Sequence, residues 1–140
     1  GVPAGERREG LAYLFDIFPT LCELCDVEIP PSVEGRSLVP LFADAGTRVR
    51  DHALFAYRHL MRGVRDAEGR KLIEYAVDGE RHTQLFDLAS DPAETRNLAT
   101  DPDWSQARIE LGAALRAWPE QWSDDQRGQG VEFWRSVDAD

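Results

Sequence analysis

The chain has 140 residues, of which 42% are hydrophobic and 30% charged, with a formal net charge of −10. That is one soluble domain's worth, long enough to bury a core of its own. The negative balance argues against nucleic acid and anionic membrane as general partners, because both need a basic field. No apolar run approaches the roughly 18 residues of a membrane span, and Gly1–Gly10 carries no signal-peptide pattern.

The first residue is Gly1 rather than Met, so the chain is expected to be a piece of a longer protein. Gly1 to Gly10 reads as an exposed connection, with Pro3, Gly5 and a charged run. Leu11 to Phe15 is a short apolar strand candidate. Asp16 can cap a helix start, because Pro19 is tolerated in a first helical turn and Leu21, Leu24 and Cys25 continue at helical spacing. The spacing predicts a helix over 17–25, ended by Asp26 in a left-handed conformation. Pro30 and Pro31 enforce extended chain, and Ser37 to Phe42 reads as one helical turn. A boundary is expected at residue 46, inside a charged stretch with no apolar period. The strand and helix before it cannot cover their own apolar face, which suggests a piece cut from a larger sheet.

Beyond the boundary come four strands at hairpin spacing: Ala53–Tyr57, Met61–Asp66, Lys71–Val77 and Thr83–Leu88. The Asp78-Gly79 dipeptide is a strong hairpin signal, and short connections favour an antiparallel meander. After the last strand, Asp91 precedes Pro92 with Glu94 three residues on, the arrangement of a capped helix start. Asn97 is placed to close that short turn, with Leu98 folding back onto the core. Asp101-Pro102-Asp103 opens a second helix, whose Trp104, Leu111, Leu115 and Trp118 form one stripe. Pro119 should end it at about Ala117. From Ser123 the chain is polar. Residues 123–140 are expected to be a mobile tail whose Phe133-Trp134 pair docks on a longer parent or a neighbouring subunit.

Few residues carry chemical signals. Cys22 and Cys25 have dithiol spacing, but both fall late in the helix beside Glu23, away from the N-terminal dipole that would lower a thiol pKa. Packing is the better reading. His52, His59 and His82 are too isolated to complete a metal site with them. The densest basic cluster is Arg58, His59, Arg62, Arg65, Arg70 and Lys71. Arg62 and Arg65 face opposite ways on one strand, and local ion pairs to Asp66 and Glu68 account for much of the rest. Arg58 and His59 lie in the loop entering that strand, from which they can contribute to an anion pocket. No G-x-S-x-G elbow, phosphate loop or calcium loop occurs.

Several segments, in one order, resemble the sulfatases, the formylglycine-dependent branch of the alkaline phosphatase superfamily. These are Asp16-Ile17-Phe18-Pro19-Thr20-Leu21, Gly35-Arg36-Ser37-Leu38, Arg62-Gly63-Val64-Arg65 and Arg70-Lys71-Leu72-Ile73-Glu74-Tyr75. The fifth is Leu85-Phe86-Asp87-Leu88 with Asp91-Pro92, Glu94 and Asn97-Leu98. The resemblance implies an α+β fold: a four-stranded antiparallel C-terminal subdomain over 47–122 with a packed helix, preceded over 1–46 by the last strand and helix of an α/β catalytic domain. Asp16, Pro19, Asp91, Pro92, Glu94 and Asn97 would be structural.

The family's C/S-x-P-x-R nucleophile motif does not occur here, so no catalytic residue carries over. Calcium and formylglycine are expected in a full-length parent and none in this chain. The implied partners are the remainder of the catalytic domain and a sulfated small molecule or sugar, with a homo-oligomer as a further expectation. The alternatives are a free-standing interaction module and a segment of a related phosphonate or phosphodiester hydrolase. Two unpaired cysteines lean towards a reducing, cytoplasmic setting.

Overall fold

A computed structural model describes residues 2–126 and 128–137. The chain divides into two compact units between Ala53 and Leu54. The division lies past the expected boundary at residue 46, because the charged stretch is tied back into the first unit. Arg36 Nη1 donates to the Val49 carbonyl at 2.6 Å, and Arg50 Nη2 donates to Asp16 Oδ1 at 2.7 Å.

In the first unit, the expected strand at Leu11–Phe15 does not form. A 3-10 turn at Leu14–Asp16 leads instead into helix α1, Ile17–Leu24. A lone strand has no ladder to satisfy its backbone, and the turn satisfies it locally. The helix ends as its sequence predicts. Asp26 takes φ 56, Val27 N–H donates to the Cys22 carbonyl at 2.9 Å, and Asp26 N–H donates to the Glu23 carbonyl at 3.3 Å. That pair of bonds satisfies the last carbonyls with a left-handed residue between them. A second short helix, α2, spans Val39–Ala43 with Pro40 in its first turn.

Asp16 holds this unit together, although its carboxylate does not cap α1. It is 0% exposed and accepts from the Tyr13 N–H at 2.7 Å, the Arg36 N–H at 2.9 Å and Arg50 Nη2 at 2.7 Å. Thr20 extends the network, donating to the Asp16 carbonyl and accepting from the Leu38 N–H. Gly35 must be glycine here, since a Cβ would collide with the Phe15 carbonyl oxygen. Pro19, a further structural candidate, is buried beside Gly35.

The second unit is built on strands β1 (His52–Tyr57), β2 (Met61–Asp66), β3 (Arg70–Val77) and β4 (Glu80–Asp87). They form a four-stranded sheet in the order β1-β2-β3-β4, the meander expected from short connections. Val64 pairs with Leu72 and Leu72 with Leu85, all antiparallel, which aligns three buried side chains on one face. The β3–β4 turn has φ 54 at Asp78 and 80 at Gly79, the two positive values that a tight Asp-Gly hairpin requires.

Helix α3 (Ser105–Arg116) lies against β2 and β3. It comes after a 3-10 turn at Pro102–Trp104 in which Asp101 accepts from the Asp103 N–H. Leu111, Leu115 and Trp118 of the expected stripe are buried and Trp104 packs on them. The helix stops at Arg116, but Trp118 begins another short helix, α4 (Trp118–Trp122), with Pro119 in its first turn.

Two expectations fail in this unit. First, the chain after Ser123 does not run on as an irregular tail. Gly128–Val137 forms helix α5, and Phe133, Trp134 and Val137 join Val64, Leu72, Leu85, Leu111 and Leu115 in one core. Val131, Trp134 and Val137, with Phe133 beside them, already stand at helical spacing. Second, Asp91-Pro92 does not open a helix. Glu94 takes φ 56, which breaks the turn, and its carboxylate meets Lys71 Nζ at 2.7 Å instead of closing a capping box. Asp91 caps the loop by itself, accepting from the Thr95 and Arg96 N–H groups at 2.8 and 2.9 Å. Pro92 is exposed at the loop's start.

Asn97 closes no helical turn; it straps the edge of β4. Its Oδ1 accepts from the Leu85 and Ala99 N–H groups at 3.0 Å, its Nδ2 donates to the Thr83 carbonyl at 3.2 Å, and Leu98 N–H donates to the Leu85 carbonyl at 2.8 Å. The open donors of an edge strand are thus partly used.

Candidate functional site

The turn between β1 and β2 carries Arg58 and His59 as the sequence places them. Its geometry is unusual for residues with side chains: Arg58 has φ 49 in a turn closed by the Leu60 N–H bond to the Tyr57 carbonyl at 3.1 Å. The two side chains do not converge. The Arg58 guanidinium is exposed and lies 5.6 Å from the Tyr57 ring centroid. His59 Nδ1 lies 3.5 Å from Glu132 Oε2 on α5. It borders a shallow pocket of about 230 Å³ that Asp78, Glu80, Arg81, Glu132 and Ser136 also line. Three carboxylates in that lining make it a poor anion pocket, so of the two residues only Arg58 offers an exposed cation.

Internal partners neutralise most of the remaining basic cluster. Arg62 is 2% exposed and points away from exposed Arg65, as strand alternation requires. Its Nε and Nη2 donate to Asp124 Oδ2 and Oδ1 at 2.6 and 3.1 Å, and its Nη1 donates to the carbonyls of Arg58 and Met61 at 2.7 and 2.8 Å. The Phe133 ring centroid lies 4.9 Å from its guanidinium carbon. Each nitrogen of this buried guanidinium has an acceptor, which is the condition for burying it at all.

Arg70 donates to Asp66 Oδ2 at 2.6 Å and to Glu110 Oε2 at 2.8 Å. Those two bonds, Asp66 first, hold its pKa above the usual arginine value. Lys71 sits between Glu94 and the Phe55 ring.

Sequence reasoning missed Asp124 and Trp134 as partners of this cluster. Trp134 Nε1 donates to Asp124 Oδ2 at 2.7 Å, so one carboxylate joins α5 to the β2 arginine. Helical spacing of the tail's apolar residues was the available signal. Nothing in the spacing of positions 62 and 124 connects them.

Cys22 is buried and Cys25 exposed, both as free thiols. Among the described residues no three His, Cys, Asp or Glu side chains come together as a metal site, and no C/S-x-P-x-R motif stands in the chain. Among the described residues no set fits calcium, and the chain holds no residue in the motif from which formylglycine is made. No helix among the described residues is long and apolar enough to cross a membrane.

Among the described residues of the basic cluster, Arg58 and Arg65 are the exposed arginines, while Arg62 is buried and paired. An N-acetylglucosamine-6-O-sulfatase of Bacteroides thetaiotaomicron is 24% identical over 135 residues, matching 89% of this chain and 24% of its own length. A Δ4,5-hexuronate-2-O-sulfatase of the same organism is 28% identical over 124 residues, matching 84% of this chain and 25% of its own. The solved phosphonate monoester hydrolase of Agrobacterium radiobacter superposes with a TM-score of 0.56 at 28% identity, over 76% of this chain and 24% of that one. The chain thus spans about a quarter of the length of these relatives, and its four-stranded antiparallel sheet with helices is a C-terminal sulfatase subdomain. Residues 1–121 match the family model described as N-sulphoglucosamine sulphohydrolase, C-terminal, and the chain belongs to that family.

Proposed function

We propose that this chain is the C-terminal portion of a sulfatase-like hydrolase, inactive by itself, which completes the fold of a larger catalytic domain and walls one side of its substrate cleft. The observation that carries the reading is the outward face of α1 and the turn before it. Leu14 is 84% exposed, Phe18 53% and Leu21 54%, while Thr20 and Cys22 are the buried side. A helix that turns its large apolar side chains outward has its cover elsewhere, and relatives four times as long have the chain to supply one.

In that reading the nucleophile, calcium and formylglycine belong to the preceding domain, and Arg58 stands at the cleft to meet the anionic ester. The substrate class is a sulfated small molecule or sugar. A phosphonate or phosphodiester is the second reading, favoured by the likeness to the phosphonate monoester hydrolase.

The test uses the purified chain with an aryl sulfate, and then with a dye that fluoresces on apolar surface. The expected result is no saturable turnover and strong dye binding, which is lost when the chain is joined to its upstream part. Saturable turnover by the isolated chain, freed of other protein, would overturn the proposal.

A further inference from the structure

Helix α5 lies past the residues that the family model matches, yet it supplies Phe133, Trp134 and Val137 to the core of the second unit. It also contacts the β1–β2 turn by two routes. We propose that α5 is a positioning element for that turn, setting Arg58 and His59 through Asp124 acting on Arg62 and through Glu132 acting on His59. The proposal rests on the hydrolase reading, in which the turn borders the cleft.

The first route is a relay of charge-assisted hydrogen bonds. Arg58 is held in the left-handed region, which residues bearing a Cβ enter only at some cost. Its carbonyl accepts from Arg62 Nη1 at 2.7 Å. The same guanidinium is kept buried and oriented by the two-oxygen grip of Asp124. Without that grip the buried positive charge has no carboxylate partner, and the side chain is driven towards water, away from the Arg58 carbonyl.

Asp124 is in turn fixed by α5. Trp134 Nε1 donates to it at 2.7 Å, and Gly130 on α5 packs so closely that a Cβ there would collide with the Asp124 carbonyl oxygen. Docking of α5 thus sets Asp124, Asp124 sets Arg62, and Arg62 sets the carbonyl that keeps Arg58 in its turn.

The second route is direct. Glu132 Oε2 lies 3.5 Å from His59 Nδ1, and Glu132 and Ser136 form the α5 side of the pocket that His59 borders. One route holds the backbone of the turn and the other a side chain on it. Simple coverage of the core by α5 would need neither.

Residue-resolved amide hydrogen exchange of the whole chain separates positioning from coverage. The Leu60 amide, bonded to the Tyr57 carbonyl, reports the turn. The Leu98 amide, bonded to the Leu85 carbonyl, reports the far edge of the sheet. In Asp124→Asn, exchange at Leu60 should rise about tenfold more than at Leu98. Leu111→Ala, which trims the same core on α3 but leaves the relay, should move both amides together.

Where Asp124→Asn does not fold, Glu132→Gln on its exposed side chain is read in the same way. Leu60 rising alone supports positioning; Leu60 and Leu98 moving together, or neither moving, overturns it. No ester is present in this experiment, so its failure leaves the hydrolase reading standing. Conversely, a failed activity test leaves the exchange result unchanged.

Discussion

Up to Ala53 the chain buries a carboxylate and turns apolar side chains outward, whereas from Leu54 on it buries apolar side chains around one arginine. In the first unit Asp16 is 0% exposed while Leu14, Phe18, Leu21 and Val27 are exposed. In the second, Val64, Leu85, Leu111 and Phe133 are 0% exposed. The polar network of the first unit fixes the shape of a short segment without burying much apolar area, and directed hydrogen bonds can do that where burial is scarce. The second unit gains most of its stability from area removed from water. Under the proposed function, the first unit is the half that is covered by more chain.

The most damaging change should be one that empties the apolar core. Phe133→Ala removes a fully buried ring, and a cavity of that kind costs about 3–5 kcal/mol. Trp104, Trp118, Trp122 and Trp134 all lie in the second unit, so tryptophan fluorescence during urea unfolding reads that unit directly. A loss below about 1 kcal/mol would mean that α5 contributes little to the core, and the contrast between the units would fade.

Asp16→Ala should act on the other unit, and somewhat less. It leaves the Tyr13 and Arg36 N–H groups without their acceptor and the Arg50 guanidinium without its carboxylate. Burial already lowers the Arg50 pKa against the opposing pull of Asp16. Breaking a buried pair costs about 3 kcal/mol at the lower end of its range. The expected result is fast proteolysis between positions 10 and 50 with the tryptophan-detected transition unchanged. A shift of that transition by as much as Phe133→Ala produces would show that the units do not respond separately.

The second unit was the more legible in the sequence because its signals are local. Period-two alternation located the four strands to within a few residues, and Asp78-Gly79 chose its own turn. Leu111, Leu115 and Trp118 marked the covering helix. The illegible parts depend on distant partners. A strand at Leu11–Phe15 satisfies the apolar pattern, but the ladder that would stabilise it has no neighbour within the first unit. Glu94 has the spacing of a capping box, yet Lys71 on β3 offers a charged partner, and the left-handed turn at Glu94 presents the carboxylate to it. At the candidate site, Arg58 and His59 were placed on the correct turn. Their divergence arises from Tyr57 and Glu132, and only the second of these comes from a remote element.

The smallest expected effect is a pH dependence, and it tests whether the loop after β4 is held by its carboxylate cap. The Arg96 N–H bond, followed by the Thr95 hydroxyl and N–H, keeps the Asp91 pKa below the usual carboxylate value, with desolvation opposing. A carboxylate with a depressed folded pKa stabilises fully above its unfolded value of about 3.9, and that contribution is lost as pH falls through the folded value. Thermal midpoints should therefore hold level from neutral pH down to about 5 and decline below it.

Asp91→Asn keeps one acceptor oxygen but no charge to titrate, so its decline should be shallower although its midpoint at neutral pH is lower. Glu110 contributes a slope of the same sign, held down by Gln106 and then Arg70, which is why the comparison is between variants and not with a flat line. Identical slopes for Asp91→Asn and the unaltered chain would remove the carboxylate from the account of this loop. The strap to β4 through Asn97 would then be what holds it.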